Sequence, residues 1–379
     1  MRVNISELKN IVAKMNLAIE KTKLNPKSGW IELESFEDKT MTLKVSNYDY
    51  YLEAKIPIEC DGSEKIHATV VSDTFVPLVS KLDDDYVEMF ERMNALIFAT
   101  SSSEFTFPII KEIDEVKSVD VIKFRDVPET IQMSGADLST VATINTKGFL
   151  DSLFSNDIQQ YIYLDKDGAL TYTENLYVNS FKRPGNRDFK ILLNVTQAKL
   201  LDVFKDFETV DLMIDSTASY EYASKVKFRT DSLSLVLVVQ SQALTDTFPA
   251  IRLRKLAAVS HSTHVILDKK AVDKALARLM VFDKKFGIEV MLYSKLVFKE
   301  NEVQLVSITN KNFERIPYIS SENAFVHESI IRFSDLMKQL KAMNSKTLDI
   351  SYGTTPALAI NSGEGLVQLI PEIVIDDAI

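Results

Sequence analysis

Apolar residues recur along the chain with two different periods, and the period changes from segment to segment. In six segments they stand at i, i+3 and i+4, the spacing that gathers side chains on one face of an α-helix. These predicted helices cover residues 6–15, 72–82, 145–154, 194–207, 267–282 and 333–344. The segments between them, such as 30–56, 161–181 and 290–308, alternate apolar and polar positions around short polar turns. This alternation indicates antiparallel strands.

Side chains that can cap a helix stand at or near the start of most of these segments. The predicted N-caps are Ser6, Ser72 or Asp73, Asn194 or Thr196, Asp268 and Ser334. Pro77 lies inside the second segment and is expected to keep that helix short, because proline lacks a backbone donor. The fifth segment has the clearest apolar stripe, formed by Val272, Ala275, Leu276 and Leu279.

The order of helix and strand segments repeats three times. One strand block in each repeat closes on a proline, at Pro57, Pro184 and Pro317, which are 127 and 133 residues apart. A second series of prolines ends later strand blocks, at Pro108, Pro249 and Pro371. Two interleaved series in the same order favour three tandem copies of one fold over a chance alignment of strand-ending prolines.

This repeat predicts three α+β domains. The expected limits are residues 1–117, 118–251 and 252–379, and each domain is expected to consist of two halves in which a helix covers an antiparallel sheet. Residues 112–137 have no counterpart of that length in the next repeat. We therefore predict an interdomain connector at 112–137, with one extra strand at 119–124.

Composition limits the classes of protein that the chain can represent. Its 379 residues are too many for one core, and 46% of them are hydrophobic, which is enough to bury a core in each domain. The single cysteine, Cys60, excludes an internal disulfide and suits a reducing cytoplasm. The longest apolar run, near Val236, has the length of a strand, so we predict neither a membrane span nor a signal peptide.

Net charge alone argues against broad nucleic-acid binding. The formal charge is −10, whereas contact with phosphate requires clustered Lys and Arg. Positive side chains nevertheless gather on the helices, where Lys270, Lys274 and Arg278 recur every four residues opposite the apolar stripe. Acidic residues cluster instead in turns, as at 83–85 and at Asp165 and Asp167. For any single helix the basic stripe favours a solvated face, and only its recurrence across the repeats favours a functional lining.

With these three repeats, the chain resembles the sliding clamp of bacterial DNA polymerases, the β processivity subunit. The resemblance spans essentially the whole chain. It depends on the repeat, on the helix after a first strand (3–15), on the element Phe248, Pro249 and Arg252, and on the block 367–373. It implies a head-to-tail homodimer that closes a ring of six similar domains, with helices lining the hole and sheet outside. Such a ring encircles duplex DNA, tethers a polymerase and has no catalytic activity.

A ring removes the objection from net charge, because attachment is topological and a modest basic lining that reads no bases is sufficient. The residues that we expect to face DNA lie on the helix stripes and in the loops that follow the first helix of a repeat. They are Lys21, Lys23, Lys27, Lys270, Lys274, Arg278, Lys284, Lys285, Lys338 and Lys341. The resemblance adds Gln160 and Tyr161, which match a DNA-contacting loop of the family.

The resemblance also implies a hydrophobic pocket between the second and third domains, where polymerases and the clamp loader insert a short peptide. The matching residues are Thr173, Asn175, Leu176, Tyr177, Val178, Pro249, Leu253, Leu369, Ile370, Pro371 and Ile373. Two departures from the family leave the preferred peptide open. Residues 173–177 replace a Thr-Asp-Gly-His-Arg loop, and 374–379 replace an ending of the type Met-Pro-Met-Arg-Leu. Each matching segment is also consistent with ordinary core.

Two further apolar residues match the subunit interface of the family. Val281 and Phe282 follow the inward stripe of the fifth helix. Core packing at the end of a helix is the alternative for this pair, and we predict the subunit interface.

An enzyme is the competing class of protein, and the sequence gives it little support. There are only 10 glycines, with no Walker-type phosphate loop and no G-x-G-x-x-G after a strand. His261 and His264 stand in an apparent linker without a cysteine nearby, so a solvated loop is favoured over a metal site. We expect no metal, no cofactor and no catalysis.

The sequence therefore predicts a cytoplasmic DNA sliding clamp that acts as a processivity factor. The expected partners are encircled double-stranded DNA, bound without sequence specificity, a DNA polymerase, a clamp loader and a second copy of the chain. No membrane partner is expected. A clamp-like ring that recruits transcription or repair proteins is the alternative, because it needs the same ring and pocket. The departures at the pocket suit a viral or plasmid-borne clamp with its own polymerase.

Overall fold

Two long antiparallel sheets organise the chain, and each joins strands that are far apart in the sequence. The computed structural model describes residues 1–20, 25–60, 65–112, 115–125, 127, 129–148, 158, 161–173, 178–182, 187–215, 223–259, 261–283, 293–307, 311–341, 343–362 and 365–373. The side chains of residues 145–148, 223–224, 283, 293, 334–335 and 338 lie outside this description.

The helices are mostly short and have one apolar face. They are α1 (Ile5–Leu17), α2 (Ser72–Lys81), α3 (Gly135–Gly148), α4 (Val195–Leu200), α5 (Gln242–Asp246), α6 (Ala250–Ala257), α7 (Lys269–Asp283) and α8 (Phe333–Lys341). Single 3-10 turns occur at Pro26–Gly29 and at Leu201–Phe204, which continues α4. Within the described residues, no helix has the length and apolar character that crossing a membrane requires.

Strands make up most of the remaining structure. The first part of the chain contains β1 (Arg2–Asn4), β2 (Trp30–Ser35), β3 (Thr40–Ser46), β4 (Tyr50–Pro57), β5 (His67–Val71), β6 (Tyr86–Arg92), β7 (Ala95–Ala99), β8 (Glu104–Pro108), β9 (Lys111–Glu112) and β10 (Glu115–Val116). The middle part contains β11 (Ile131–Met133), β12 (Ile162–Asp165), β13 (Gly168–Tyr172), β14 (Val178–Lys182), β15 (Lys190–Leu193), β16 (Val210–Asp215), β17 (Ala223–Arg229) and β18 (Leu233–Ser241). The last part contains β19 (Thr263–Asp268), β20 (Tyr293–Phe298), β21 (Glu302–Ser307), β22 (Phe313–Pro317), β23 (Ser320–Glu322), β24 (His327–Arg332), β25 (Thr347–Tyr352), β26 (Ala357–Asn361) and β27 (Leu366–Pro371).

The chain forms two compact units, Met1–Ser139 with Leu200–Gln242, and Thr140–Lys199 with Ala243–Ile379. The first unit contains a four-stranded sheet in the order β1-β6-β7-β8 and an eight-stranded sheet in the order β11-β16-β17-β18-β4-β3-β2-β5. The second contains a nine-stranded sheet in the order β15-β12-β13-β14-β27-β26-β25-β19-β23 and a four-stranded sheet in the order β22-β21-β20-β24. Helices that accompany antiparallel sheets confirm the predicted α+β class.

Strand pairing in each long sheet connects two of the predicted domains. In the first unit β4 pairs with β18, and Tyr51 lies opposite Val236. In the second unit β14 pairs with β27, and Val178 lies opposite Leu369. The first strands of these two pairs, β4 and β14, both belong to the strand blocks that close on the first proline series. The two junctions are therefore equivalent in the repeat, while the exact domain limits stay a prediction.

Two of the predicted helix caps are confirmed. Asp268 Oδ1 accepts a hydrogen bond of 2.7 Å from the Ala271 backbone N–H at the start of α7. Asn194 Oδ1 accepts a bond of 2.8 Å from the Gln197 N–H, and Gln197 Oε1 accepts one of 3.0 Å from the Asn194 N–H. This reciprocal pair is a capping box, which satisfies two backbone donors at once. The predicted apolar stripe of α7 is buried.

The other predicted caps are wrong. α1 begins one residue before Ser6, and its cap is Asn4, which accepts a 3.1 Å bond from Glu7 N–H. Ser72 and Asp73 lie inside α2, and Pro77 does not end this helix, which continues to Lys81. Ser334 likewise lies inside α8. At these three sites the helix begins at or before the expected cap, because the preceding strand continues directly into the helix.

The third helix lies earlier than predicted. α3 covers residues 135–148 instead of 145–154, and residues 149–154 are outside the described part of the chain. Its start is fixed by Ser134, whose Oγ accepts a 3.1 Å bond from Asp137 N–H. Gly135 N–H donates to Phe207 O, and a Cβ on Gly135 would lie 1.9 Å from Phe204 O. Only glycine fits so close to this backbone, which explains why α3 begins here.

The connector packs on the first unit without forming the predicted strand at 119–124. Val119 is buried against Tyr51 and Val236, with Ile122 and Phe124 partly buried beside them. The Val119 N–H donates a 2.8 Å bond to the carboxylate of the buried Glu32. Side-chain packing therefore replaces strand pairing in this segment. The connector ends at α3, before the predicted limit of residue 137.

Candidate nucleic-acid interface and peptide groove

A groove on the second unit follows α6, a helix that the sequence pattern does not predict. Pro249 belongs to the second proline series, which predicts the end of a strand block at this position. In the structure Pro249 is the N-cap of α6 instead. The signal was present in the spacing of Ala250, Leu253 and Ala257, which all face the core. They pack on the sheet beside the junction of β14 and β27.

Aromatic packing holds the floor of this groove. The ring of Phe248 stacks on Tyr163 with centroids 4.9 Å apart and an interplanar angle of 10°. Tyr172 meets the same ring edge-on at 5.4 Å. Burial, together with the charge of Asp165, raises the pKa of Tyr163 to about 12, so its hydroxyl stays neutral at physiological pH. The floor is therefore aromatic and carries no charge on Tyr163 at physiological pH.

The groove has a volume of about 670 Å³, which falls in the range of small-ligand and peptide pockets. Its lining is Phe248, Pro249, Ala250, Ile251, Arg252, Lys255, Leu256 and Val259. Ile251 is 75% exposed. A large aliphatic side chain so open to water on the rim of an apolar groove is typical of a surface that binds a partner.

The predicted pocket residues fall into five groups. Pro249 lines the groove. Val178, Leu253 and Leu369 are buried in the cluster beneath it, so they support its floor without reaching its surface. Ile370 has no exposed surface and is not part of that cluster, so it offers no contact to a ligand. The half-buried residues are Thr173, Pro371 and Ile373, and Asn175, Leu176 and Tyr177 lie outside the described residues.

The basic stripe of α7 is solvent-exposed in part of its predicted length. Lys270 and Lys274 are exposed, and neither forms an ion pair with a described residue. Lys341, at the end of α8, is also exposed. α7 and α8 pack against each other, so these lysines lie on two neighbouring helices. These three side chains have the free positive charge that contact with phosphate requires.

Two other predicted DNA contacts have their charge neutralised. Arg278 Nε and Nη2 donate to the two carboxylate oxygens of Glu314 at 2.6 and 2.9 Å. This fork raises the pKa of Arg278 and lowers the pKa of Glu314. Lys27 Nζ lies 2.6 Å from Asp120 Oδ1 in the connector. A carboxylate within hydrogen-bond distance competes with phosphate, so both side chains are weaker candidates than the exposed lysines.

The remaining predicted DNA contacts are less well placed by the structure. Tyr161 is partly buried and packs against the cluster beneath the groove. Lys338 lies in α8, but its side chain is outside the description. Lys21, Lys23, Gln160, Lys284 and Lys285 lie outside the described residues.

An exposed apolar patch lies at the end of α7. Val281 is 60% exposed and Phe282 is 47% exposed, which excludes core packing for this pair. α7 packs against β22, where Phe313 is 53% exposed. Phe282, Phe313, Arg278 and Glu314 line one shallow depression of about 300 Å³. Exposed large apolar side chains gathered at one place in this way are typical of a protein–protein interface.

Two of the sheet edges in the described structure share one pattern. β8 is the last strand of its four-stranded sheet, and β22 is the last strand of the other. Both have the same sequence of exposed, half-buried, exposed, buried and exposed positions, and both end in proline, at Pro108 and Pro317. Their outer N–H and C=O groups have no pairing strand in the described chain, and such edges are templates for pairing with another chain.

The histidine pair does not form a metal site. His264 Nδ1 lies 2.9 Å from Ser351 Oγ, and its Nε2 lies 2.9 Å from His261 O. Both ring nitrogens of His264 are therefore occupied by protein partners. Across the described residues, no group of three or more His, Cys, Asp or Glu side chains could hold a metal ion.

The long sheets, their accompanying helices and their order along the chain form the fold of the DNA sliding clamps. The chain is similar to the β subunit of DNA polymerase III from Thermotoga maritima, with a TM-score of 0.77, 15% identity and 99% of each chain covered. It is similar to the β subunit from the DNA polymerase of Streptococcus pyogenes, with a TM-score of 0.74, 17% identity and 99% of each chain covered. A third similar structure is the Helicobacter pylori β clamp bound to a DNA ligase peptide, with a TM-score of 0.68, 13% identity, and 99% of this chain and 100% of that chain covered.

The two comparisons based on sequence find no match for the chain. No protein-family model matches the chain, and no curated protein matches it. At these low identities the likeness shows a shared fold.

Proposed function

We propose that the chain is a DNA sliding clamp: a ring that encircles duplex DNA and tethers a replicative polymerase to it. In this proposal three tandem domains, at 1–117, 118–251 and 252–379, form each half of the ring, and two copies close it head to tail. The role is mechanical and requires no catalysis. We place the protein with the DNA, in the cytoplasm.

The main support for the proposal is the way in which strands of neighbouring repeats pair with each other. In both long sheets, the strand of the first proline series pairs with a strand of the next repeat: β4 with β18, and β14 with β27. In the described chain, two strands at the corresponding places of the repeat have no such partner from a neighbouring repeat. They are β22, which belongs to the first proline series in the third repeat, and β8, in the first repeat. Continuing the rule pairs β22 of one copy with β8 of a second copy. Two such junctions, related by two-fold symmetry, close a ring.

The exposed patch beside β22 supports the same junction. Val281, Phe282 and Phe313 lie next to the free strand edge and are open to water in the single chain. A second copy that pairs along β22 would bury them and supply the apolar area that a stable dimer needs. The Arg278–Glu314 fork holds the end of α7 against β22, so Arg278 serves this junction in our proposal.

The lysines on α7 and α8 support the DNA-facing role of the helices. Lys270, Lys274 and Lys341 carry free positive charge in a protein of net charge −10. Few weak contacts suit sliding, because each step along the duplex must break the contacts that it makes. An acidic molecule with cationic helices also disfavours DNA on its other surfaces.

The groove along α6 supports the proposal that the protein tethers a polymerase to DNA. Its apolar floor and exposed Ile251 suit a short peptide with one or two apolar anchors, which we assign to a DNA polymerase and a clamp loader. Primer extension on a long template tests the whole function. The protein should lengthen the products of its cognate polymerase, and unchanged product length would contradict the proposal.

Ile251→Glu is expected to separate tethering from encirclement. The side chain is 75% exposed, so the change should leave the melting temperature within the error of measurement. A charge on the rim of the apolar groove should weaken binding of the polymerase by at least about tenfold, because the apolar anchor loses its contact. Pull-down with the polymerase and retention on DNA are both measured. Loss of DNA retention together with polymerase binding would contradict this separation.

A further inference from the structure

α6 carries three cations, and only one of them has a partner among the described residues. Arg254 Nη1 donates a 2.8 Å bond to Asp165 Oδ2 and a 3.3 Å bond to Asp167 Oδ2. Arg252 and Lys255 are exposed, and neither forms an ion pair with a described residue. Both line the groove, whereas Arg254 does not. The helix therefore neutralises the cation outside the groove and leaves the two groove cations free.

The position of Arg252 is unfavourable for the helix itself. Arg252 lies in the first turn of α6, where the positive end of the helix dipole disfavours a cation. Arg252 and Lys255 are three residues apart, so their charges are neighbours on one side of the helix and repel each other. Lys255, in the last turn, is favoured by the dipole. An anion at the groove would remove both the repulsion and the cost at Arg252.

We propose that the groove selects an acidic peptide: an extended segment with aliphatic or aromatic anchors flanked by Asp or Glu. This inference rests on the proposed function, since it concerns the partner of the same groove. The anchors pack on the floor around Phe248 and beside Ile251, and the carboxylates pair with Arg252 and Lys255. The charge complementarity lies on a rim, where it contributes specificity and association rate more than affinity.

A peptide fits this groove better than nucleic acid does. Six of the lining residues are apolar: Phe248, Pro249, Ala250, Ile251, Leu256 and Val259. They offer no side-chain donor to a phosphate backbone, which needs a continuous run of cations or donors. Two cations around an apolar slot match a segment that combines both kinds of side chain.

Fluorescence anisotropy with the full chain tests the inference. Two labelled synthetic peptides share a Leu-Phe pair, which is flanked by aspartates in one and by asparagines in the other. The aspartate peptide is expected to bind about three- to tenfold more tightly at low salt, the size expected of two exposed ion pairs. The difference should shrink as salt screens these charges. Equal affinities at low salt would overturn the inference.

The double variant Arg252→Glu with Lys255→Glu is expected to reverse the preference. It should lose the advantage of the aspartate peptide and bind a lysine-flanked peptide more tightly than the native protein does. This gain also shows that the variant is folded. Lys346→Glu is the control for charge reversal outside the groove, because Lys346 is exposed in the same unit and does not line the groove, and it should leave both affinities unchanged.

Two outcomes identify where a failure lies. A single-stranded or duplex oligonucleotide that displaces the aspartate peptide, with the same dependence on Arg252 and Lys255, would overturn the inference in favour of nucleic acid. Retention of the protein on DNA is measured in parallel. If retention persists while neither peptide binds, the peptide inference fails and the ring stands.

Discussion

Replacing Val281 and Phe282 together with glutamate is expected to convert the protein from a dimer into a monomer. In the proposed ring both side chains are buried at the junction of β22 with a second copy, whereas in the single chain they are largely exposed. Losing this burial costs about 3 kcal/mol or more in association, which weakens the dimer by at least about a hundredfold. Sedimentation should show a fall from about twice the chain mass to 42.9 kDa.

The control for this variant carries the same charge change on another exposed apolar pair. Ile319 and Val326 are 59% and 69% exposed in the second unit and do not line the depression beside β22. Replacing both with glutamate should leave the dimer intact. Because none of the four side chains is core, the chain should remain folded in both variants. A Val281 and Phe282 variant that stays dimeric at micromolar concentration would show that this patch is not the junction.

Reversing the charge of Lys270, Lys274 and Lys341 is expected to abolish the benefit to the polymerase. Each copy in the ring would then present three acidic side chains to the phosphates in place of three lysines. The amount of protein threaded onto linear duplex at low salt should fall at least about tenfold, and its binding should depend less steeply on salt, because fewer counterions are released from the DNA. Primer-extension products on a long template should shorten to those of the polymerase alone.

A matched triple variant tests whether position or total charge matters. Lys55, Lys182 and Lys346 are also exposed, and they lie on strands or in a turn. Reversing these three changes net charge equally and is expected to leave threading and extension unchanged. Equal loss in both triple variants would show that only net charge matters, which contradicts a cationic lining on the helices.

The periodic parts of the sequence predicted the fold well, for a physical reason. A buried stripe must recur with the period of its element, so α7 was predicted with its cap Asp268 and its stripe from Val272 to Leu279. The first proline series marked strand blocks that stand at equivalent places in the two observed junctions. Backbone contacts between distant segments leave no such period. The start of α3 depends on Gly135 against Phe204 and Phe207, which the local pattern does not contain.

The candidate site was predicted less completely. Pro249 and the stretch to Leu253 were assigned to the groove, but α6 was not predicted, so the rim residue Lys255 had no place in the predicted pocket. The apolar spacing of α6 is present in the sequence, but the second proline series favoured the end of a strand at Pro249. The sequence did not predict which basic side chains form an ion pair with a carboxylate. Arg278 is neutralised by Glu314 from a strand 36 residues away, and such pairs follow only from the folded arrangement.

Encirclement itself is tested most directly by retention on linear duplex DNA whose ends are blocked after the protein has been allowed to thread onto it. A closed ring should stay on this DNA through a wash at high salt, which removes proteins held by charge alone. Cutting the DNA to create one free end should then release it. Loss of the protein at high salt with both ends blocked, or retention that is indifferent to the free end, would contradict the ring.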